Sequence, residues 1–392
     1  MKVLNQSSGK NWNLYQGDCI EIMQGIPENS IHYTVTSPPF ASLYVYSNSL
    51  RDMGNSTYKQ FHSQFRYYVD QLHRIMIPGR IVSQHCMNIP ASLERDGYIG
   101  LKDFRGALIR SFLNDEAGEF YQAIERLKTR QISAIENEDQ GRFDLLENTI
   151  QIMLSELSEY PSVNGFIFHS EVCIWKNPVV AMQRTKSIRL LHKQLRKDST
   201  VSGQGIADYF ISFRKPGKNP DPVSGLLSDY QGAPGTEPVA KERSFEYTSD
   251  DFDTPQDYKE SKDDWQKEQE ESVDVKESIN IWQRYASPVW MDINPSETLA
   301  FRNARSNADQ RHICPLQLQV ISRGVQLWSN PDEIVLDTFN GIGSSGVVAI
   351  EQGRKYVGLE LKSSYYDCSV TNLTVAESTP VQWDLFKFET PE

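Results

Sequence analysis

Long apolar runs are missing from this 392-residue chain: although 39 % of it is hydrophobic, no stretch approaches the roughly 20 residues that a membrane helix needs. A membrane span is therefore not expected. The amino terminus, Met1-Lys2-Val3-Leu4-Asn5-Gln6, lacks the charged-then-apolar layout of a secretory signal, so export is not expected either. Cysteine is scarce. The five present, Cys19, Cys86, Cys173, Cys314 and Cys368, lie far apart with no C-x-x-C pair, which argues against a zinc cluster or a disulfide framework and fits a reducing cytoplasm. The seven histidines, His62, His73, His169 and His192 among them, show no ligand spacing, and no metal is expected. No internal repeat is visible.

Positive charge is also in short supply. A net charge of −12 sits badly with a polyanionic partner, because phosphate contacts rely on Lys and Arg to displace counterions. The distribution changes the picture. Residues 241–280 hold 14 acidic and 6 basic residues, a local balance of −8, whereas 176–218 hold 10 basic and 2 acidic, a local balance of +8. Such a run is either a solvated helix face or an anion-binding surface, and charge alone does not choose between them.

What is present is an alternation of short apolar runs and loop chemistry. Trp12-Asn13-Leu14-Tyr15 leads into Gly17-Asp18, and Ile31-His32-Tyr33-Thr34-Val35 leads into a Pro-Pro loop. This is the layout of an open α/β sheet with functional loops at the carboxyl ends of its strands. From Tyr58 to Ile77 the apolar residues Phe61, Phe65, Tyr68, Val69, Leu72, Ile75 and Met76 recur at helical spacing, and Pro78-Gly79-Arg80 is expected to stop that helix before a strand at 81–83. Another helix is expected over 103–112 and an inserted helical hairpin over 115–160. Strands are expected at 165–169, 172–175 and 209–213. Residues 216–280 turn to Pro, Gly, Ser, Asp and Glu and read as flexible loop, with order returning at Ile281-Trp282. The last unit reads as a helix at 316–327, a strand at 333–337, a glycine-rich loop, a helix at 347–352 and a strand at 356–360.

Asp337-Thr338-Phe339-Asn340-Gly341-Ile342-Gly343-Ser344 falls between the strand and the helix of that unit, and Glu360 ends the next strand. Glycines let the backbone turn sharply against a ligand, a helix amino terminus offers unpaired amides, and a carboxylate closing the second strand suits a ribose. Taken alone, this means a nucleoside cofactor. The acidic residue ahead of the first glycine would repel a diphosphate and welcome an amino group with a sulfonium nearby, which favours S-adenosylmethionine.

Ser37-Pro38-Pro39-Phe40 is the second constellation. Two prolines fix their φ angles, so the loop presents acceptors rigidly, and an aromatic ring beside them can stack on a base. The amino nitrogen of adenine or cytosine is a poor nucleophile because its lone pair is delocalised. Acceptors at its N–H bonds, here the Ser37 hydroxyl oxygen and the Pro38 carbonyl, would free that lone pair by positioning and electrostatics, without a cysteine nucleophile.

Together these loops resemble the amino-group DNA methyltransferases of bacteria and their phages, which carry (Asp/Asn/Ser)-Pro-Pro-(Tyr/Phe) in one loop and Asp-x-Phe-x-Gly-x-Gly in the other. The order, catalytic loop first, is similar to that family's β class. Gly17-Asp18-Cys19 is similar to its short cofactor-side motif, His312-Ile313-Cys314-Pro315-Leu316 to its closing helix motif, and Arg354 to Glu360 to its approach to the ribose carboxylate. The resemblance covers roughly 12–112, 165–215 and 281–368; the stretches 115–160 and 220–280 fall outside it.

The resemblance implies a Rossmann-like S-adenosylmethionine-dependent methyltransferase fold: a mostly parallel open sheet with a helical insertion and a target-recognition region. The expected divisions are a catalytic half at 1–114, the insertion at 115–162, the end of the catalytic half with its basic segment at 163–218, an acidic loop at 219–280 and a cofactor-binding half at 281–392. Ser37, Pro38, Pro39 and Phe40 would be catalytic. Asp18, His312, Pro315, Asp337, Phe339, Gly341, Gly343, Ser344 and Glu360 would hold the cofactor. The partner would be double-stranded DNA, its target base flipped out of the helix, with Arg184, Lys186, Arg189, Lys193, Arg196 and Lys197 as contacts. Ser37 in place of Asp leans towards the cytosine amino group, with adenine open. A methyltransferase acting on RNA or a protein amide, and a binding protein with a relic cofactor site, are the other readings. The oligomeric state and any partner nuclease stay open.

Overall fold

The computed structural model describes residues 3–40, 52–136, 139–157, 164–179, 182, 190–238, 273–300 and 315–378. The first pairing is a hairpin the sequence pattern did not announce: β1 (Asn5–Ser8) runs antiparallel to β2 (Trp12–Gln16). In β2 the alternation is that of a half-buried strand, with Trp12, Leu14 and Gln16 inward and Asn13 outward. Asp18 then caps the short helix α1 (Cys19–Met23), and β3 (Ile31–Thr36) follows.

Thr57 and Gln60 form a reciprocal capping box at the start of α2 (Tyr58–Ile75), whose Phe61, Phe65, Tyr68, Val69, Leu72 and Ile75 are buried. The helix ends at Ile75, earlier than expected, because β4 (Met76–Met87) begins at once. Pro78 and Gly79 lie inside this strand. They sit where its register against β3 shifts from Ile31↔Met76 to Tyr33↔Ile81, an irregularity that spares the proline a ladder hydrogen bond and lets Gly79 take φ +77°.

A separate two-stranded ribbon, β5 (Ile89–Ala91) and β6 (Gly100–Lys102), encloses α3 (Leu93–Asp96). Asp103 caps α4 (Phe104–Leu113), and Asn114 ends it in the left-handed region at φ 55°. The proline-free stretch forms α5 (Asp115–Glu136) and α6 (Gln140–Leu157), which pack on each other as the expected helical hairpin. The two strands anticipated after it are one, β7 (Ile167–Ile174), whose register slips between Phe168 and Ser170. After α7 (His192–Lys197) and β8 (Asp208–Arg214), the chain re-forms as α8 (Val273–Tyr285), eight residues ahead of the expected Ile281. The remainder comprises β9 (Val289–Trp290), α9 (Leu318–Trp328), β10 (Ile334–Asp337), α10 (Ser344–Glu351), β11 (Lys355–Glu360) and α11 (Ser363–Ser378).

Among the described residues, nine strands form one sheet in the order β1-β2-β11-β10-β3-β4-β8-β7-β9. The stretch from β2 to β4 is parallel throughout, and β8 adds to β4 antiparallel. One face is covered by α1, α2 and α4 through Ile22, Phe61, Phe65, Leu72, Leu108 and Phe112; the other is covered by α9, α10 and α11 through Val320, Ile321, Val348 and Leu373. This is an α/β fold with a largely parallel sheet. From β3 the chain crosses through α2 to β4 on one side, and from the adjacent β10 it crosses through α10 to β11 on the other. Neighbouring strands whose connections diverge open a crevice at their carboxyl ends, the usual ligand site of such sheets.

Arg80 of β4 is 1 % exposed and pairs bidentately with Glu333, the residue before β10. A buried pair adds little when intact, but losing one partner strands a charge. Arg80→Met is therefore expected to lower unfolding free energy by roughly 3–5 kcal/mol, measured by urea denaturation, with far less loss in the double replacement Arg80→Met, Glu333→Leu.

Candidate active site

The crevice is built by two loops that are 301 residues apart in sequence and joined by a side-chain bond between Thr36 and Asp337. Val335 and Leu336 of β10 pair with Tyr33 and Thr34 of β3. Beyond that register, the Thr36 hydroxyl donates to Asp337 Oδ1 at 2.6 Å. The same carboxylate accepts Phe339 N on Oδ1 at 3.0 Å and the Ser345 hydroxyl on Oδ2 at 2.6 Å. Burial pushes the Asp337 pKa up, and these three donors hold it back. The carboxylate anticipated as a contact for the cofactor's amino group is thus committed to tying the Pro-Pro loop to the glycine loop.

Phe339 packs on Tyr68 of α2 at 5.2 Å between ring centroids, and the Tyr68 and Thr338 hydroxyls lie 2.8 Å apart, so α2 braces the same loop. Gly341 turns at φ +56° and Gly343 at φ +90°, the latter as the amino-terminal cap of α10, directly before Ser344. A Cβ on Gly343 would lie 2.6 Å from Ser369 Oγ, so both space and backbone conformation demand glycine there.

Glu360 ends β11 beside this turn. Its Oε2 accepts Gly341 N at 2.7 Å and its Oε1 accepts Lys362 N at 2.8 Å, while Gly17 N bonds to the Glu360 carbonyl at 2.9 Å, bringing Asp18 to the same rim. Asp18 Oδ1 caps α1 through Ile20 N and Glu21 N. Burial pushes the Glu360 carboxyl up to about 7, with Asp337 and Asp52 adding repulsion against the two backbone donors. The nearby Lys362 ammonium is buried without a hydrogen-bond partner among the described residues. A desolvated carboxylate and a buried ammonium lying over the Tyr365 ring at 4.2 Å share one rim, and they fit the ribose and amino-acid ends of S-adenosylmethionine.

On the other side of the crevice, Ser37 is partly buried, Pro38 buried, and Phe40 partly buried against Phe104 of α4, edge to face at 5.8 Å. Ser37 Oγ lies 3.1 Å from His85 Nδ1. The structure therefore brings together Ser37, Pro38, Pro39, Phe40, Asp18, Asp337, Phe339, Gly341, Gly343, Ser344 and Glu360. Pro315 stands three residues before α9, on the approach to the opposite sheet face. His312 lies outside the described residues, as do Arg184, Lys186 and Arg189. Lys193, Arg196 and Lys197 are exposed on α7, a helix with no buried residue. Sequence reasoning missed Asp52, Tyr68 and His85, none of which belongs to a motif; Thr36 is legible as the start of the Pro-Pro loop, but its tie to Asp337 is not. Among the described residues, no group of three or more His, Cys, Asp or Glu is arranged to hold a metal ion. None of the described helices is long and apolar enough to cross a membrane.

An α/β sheet with a glycine loop at its switch point and a Pro-Pro acceptor loop tied beside it defines a class of group-transfer proteins. The chain matches the sequence model of the DNA methylase family over residues 31–371, and it belongs to that family. Among curated proteins it is 38 % identical over 76 residues to the type II methyltransferase M.BglII of Bacillus subtilis, covering 19 % of this chain and 21 % of that one. It is 36 % identical over 84 residues to the DNA adenine methyltransferase YhdJ of Escherichia coli, covering 21 % of this chain and 29 % of that one. The matched segments thus span between a fifth and a third of those relatives. Among solved structures, the cytosine-N4-specific PvuII DNA methyltransferase aligns with a TM-score of 0.49 at 13 % identity, over 95 % of this chain and 90 % of that one. A DNA modification methylase of Thermus thermophilus, solved with S-adenosyl-L-methionine, aligns with a TM-score of 0.48 at 15 % identity, over 94 % and 96 %.

An ionised Glu360 offers ribose hydroxyls more acceptor sites than a protonated one. Affinity for S-adenosylmethionine, measured by calorimetry, is therefore expected to fall as pH drops below 7, where this carboxyl takes up its proton. Glu360→Gln should bind weakly and without that pH dependence. Pure loss of affinity with the slope intact would assign the titration elsewhere.

Proposed function

We propose that this protein transfers a methyl group from S-adenosylmethionine to the exocyclic amino group of a base flipped out of double-stranded DNA. The observation that carries this reading is the Thr36–Asp337 bond, which holds Ser37-Pro38-Pro39-Phe40 beside the glycine loop at the mouth of one crevice. Bound there, S-adenosylmethionine supplies an electrophilic methyl group on a positively charged sulfur. Glu360 would take the ribose hydroxyls, the 339–343 loop and the start of α10 the adenosine side, and Lys362 with the Asp18 rim the carboxylate and amino group.

The chain's own residues do the rest by placement. Ser37 Oγ and the Pro38 carbonyl accept the two N–H bonds of the base, turning the nitrogen lone pair towards the methyl group. Phe40, braced by Phe104, offers a ring face to the flipped base, which lowers the cost of unstacking. Lys193, Arg196 and Lys197 provide exposed positive charge for phosphates. Arg184, Lys186 and Arg189 extend that proposal. The hydroxyl at position 37 favours the N4 amino group of cytosine; the N6 amino group of adenine is the alternative.

Transfer of labelled methyl groups to DNA, RNA and protein tests the substrate class, and nucleoside mass spectrometry of the modified DNA separates N4-methylcytosine from N6-methyladenine. Label is expected in DNA alone. Label in RNA or protein instead would point to those substrates, and none anywhere would point to a relic cofactor site. Ser37→Ala should cut the single-turnover rate about 10²–10³-fold while cofactor binding survives in calorimetry, and a fully active Ser37→Ala protein would refute the mechanism.

A further inference from the structure

Methylating an amino nitrogen leaves it with one proton too many, and the acceptors proposed for the catalytic loop are too weakly basic to keep it. Serine hydroxyl and proline carbonyl orient the N–H bonds; neither is a proton sink near neutral pH. The residues behind Ser37 supply one. Ser37 Oγ lies 3.1 Å from His85 Nδ1. On the far side of the ring, His85 Nε2 lies 3.0 Å from Asp208 Oδ2. Lys176 pairs with the same carboxylate oxygen. His85 is 7 % exposed and Asp208 1 %, so the line runs from the crevice inwards, away from bulk water.

The sheet explains why these groups meet. Met87 at the end of β4 pairs with Asp208 at the start of antiparallel β8, and Ile174 at the end of β7 pairs with Asp208 from the other side. Two residues on from Ile174, Lys176 reaches the same carboxylate.

We propose that His85 is the proton acceptor of the methyl-transfer reaction, reached through Ser37 and held in its accepting tautomer by Asp208. This rests on the function proposed above. Burial pushes the Asp208 carboxyl up, but the adjacent His85 ring and the Lys176 ammonium paired with Oδ2 more than offset it, so the carboxyl stays below its usual range and is ionised. An ionised carboxylate beside Nε2 draws the ring proton to that nitrogen and leaves Nδ1 bare towards Ser37. Ser37 then donates its own O–H to His85 and keeps its lone pairs for the base.

The step balances. The nitrogen lone pair forms the new N–C bond, and the C–S bond breaks with its electron pair left on sulfur. The surplus proton on nitrogen passes to Ser37 Oγ as the Ser37 proton passes to His85 Nδ1. The imidazolium so formed faces the Asp208 carboxylate until it releases the proton to solvent.

Other groups around the ring do not compete for this role. Arg105 of α4 and Glu171 of β7 pair with each other, and Arg105 lies over Tyr209 at 5.2 Å. Tyr209 follows Asp208 along β8 and so points to the other face of the sheet. The Phe40 ring, 6.3 Å from the imidazole, adds no charge. Asp208 and Lys176 are the charged groups nearest the ring, the carboxylate at Nε2 and the ammonium on the same carboxylate oxygen.

Two measurements test the relay. In the free protein, NMR of isotope-labelled histidine reports the tautomer directly: a protonated Nε2 and bare Nδ1 are expected, and a protonated Nδ1 at neutral pH would overturn the proposal. Single-turnover transfer to duplex DNA is then followed across the range in which an imidazole titrates, about pH 5 to 8. The wild-type rate should fall as the ring protonates, in step with the NMR titration. His85→Gln hydrogen-bonds but takes up no proton; it should lose about 100-fold in rate, lose the acid limb, and bind S-adenosylmethionine as wild type does. Wild-type rate or an intact acid limb in that variant would overturn the relay. Asp208→Asn should populate the protonated Nδ1 tautomer and slow transfer, and if that variant does not fold, the wild-type tautomer still decides. A wild-type protein inactive on every substrate sinks the functional reading and the relay with it, whereas a protonated Nδ1 in an active enzyme sinks the relay alone.

Discussion

One buried carboxylate holds the two halves of the site in register. Asp337 receives Thr36 from the catalytic strand, Phe339 from the glycine loop and Ser345 from the helix beyond it. The backbone ladder between β3 and β10 gives only two residue pairs. Without the side-chain knot, the loops past Thr36 and Asp337 would be free to splay where chemistry needs them fixed. A carboxylate suits the task because it accepts several bonds in different directions, and burial strengthens each of them.

A consequence is that the acidic residue expected as a ligand contact is also a structural clamp. The electrostatic argument for it was sound as far as it went: negative charge ahead of the first glycine disfavours a diphosphate. What a sequence does not convey is how many partners the chain itself supplies. The acceptor left for a ligand is Glu360, a residue whose carboxyl is met by two backbone amides and still carries a pKa near 7. The same lesson applies to the basic stretch. Lys176 pairs with Asp208, Lys215 is 8 % exposed and donates to Asn29 and the Met76 carbonyl, and Arg214 donates to the Gly217 carbonyl. Part of the +8 local charge is therefore spent inside the protein, and among the described residues Lys193, Arg196 and Lys197 of α7, with Lys218, carry it on the surface.

Elements whose signals are local were readable: the helical spacing of α2, the glycine turn between β10 and α10, the capped start of α4, the proline-free helical hairpin. Errors fell where tertiary pairing overrides local preference. Pro78-Gly79 looks like a helix stop, yet it lies in a strand because β3 tolerates a register shift at that point. Ser170 and Glu171 divide two expected strands that the ladder to β8 joins into one. The edge strand β1, the short β9 and the whole of α11 lack strong periodicity; α11 has its place because Tyr366, Leu373 and Ala376 find the far face of the sheet. His85 and Asp208 were invisible for a different reason. Their meeting depends on β8 lying antiparallel to β4 across more than a hundred intervening residues, and no residue near either of them hints at that pairing.

That antiparallel strand is what makes the site more than a standard crevice. In a parallel sheet every strand presents its carboxyl end to the ligand side, so only residues at strand ends and in the following loops reach it. Reversing one neighbour brings the start of a strand to that same edge. Asp208 opens β8 there, beside the end of β4 that carries His85 and the end of β7 that leads to Lys176. The residues behind Ser37 are thus anchored by regular ladder hydrogen bonds instead of by loops, with their side chains buried. A hydroxyl that must both orient an amine and pass on a proton needs a partner whose position does not fluctuate, and the reversed strand supplies that rigidity at the one edge of the sheet where the loops themselves must stay open to admit a base.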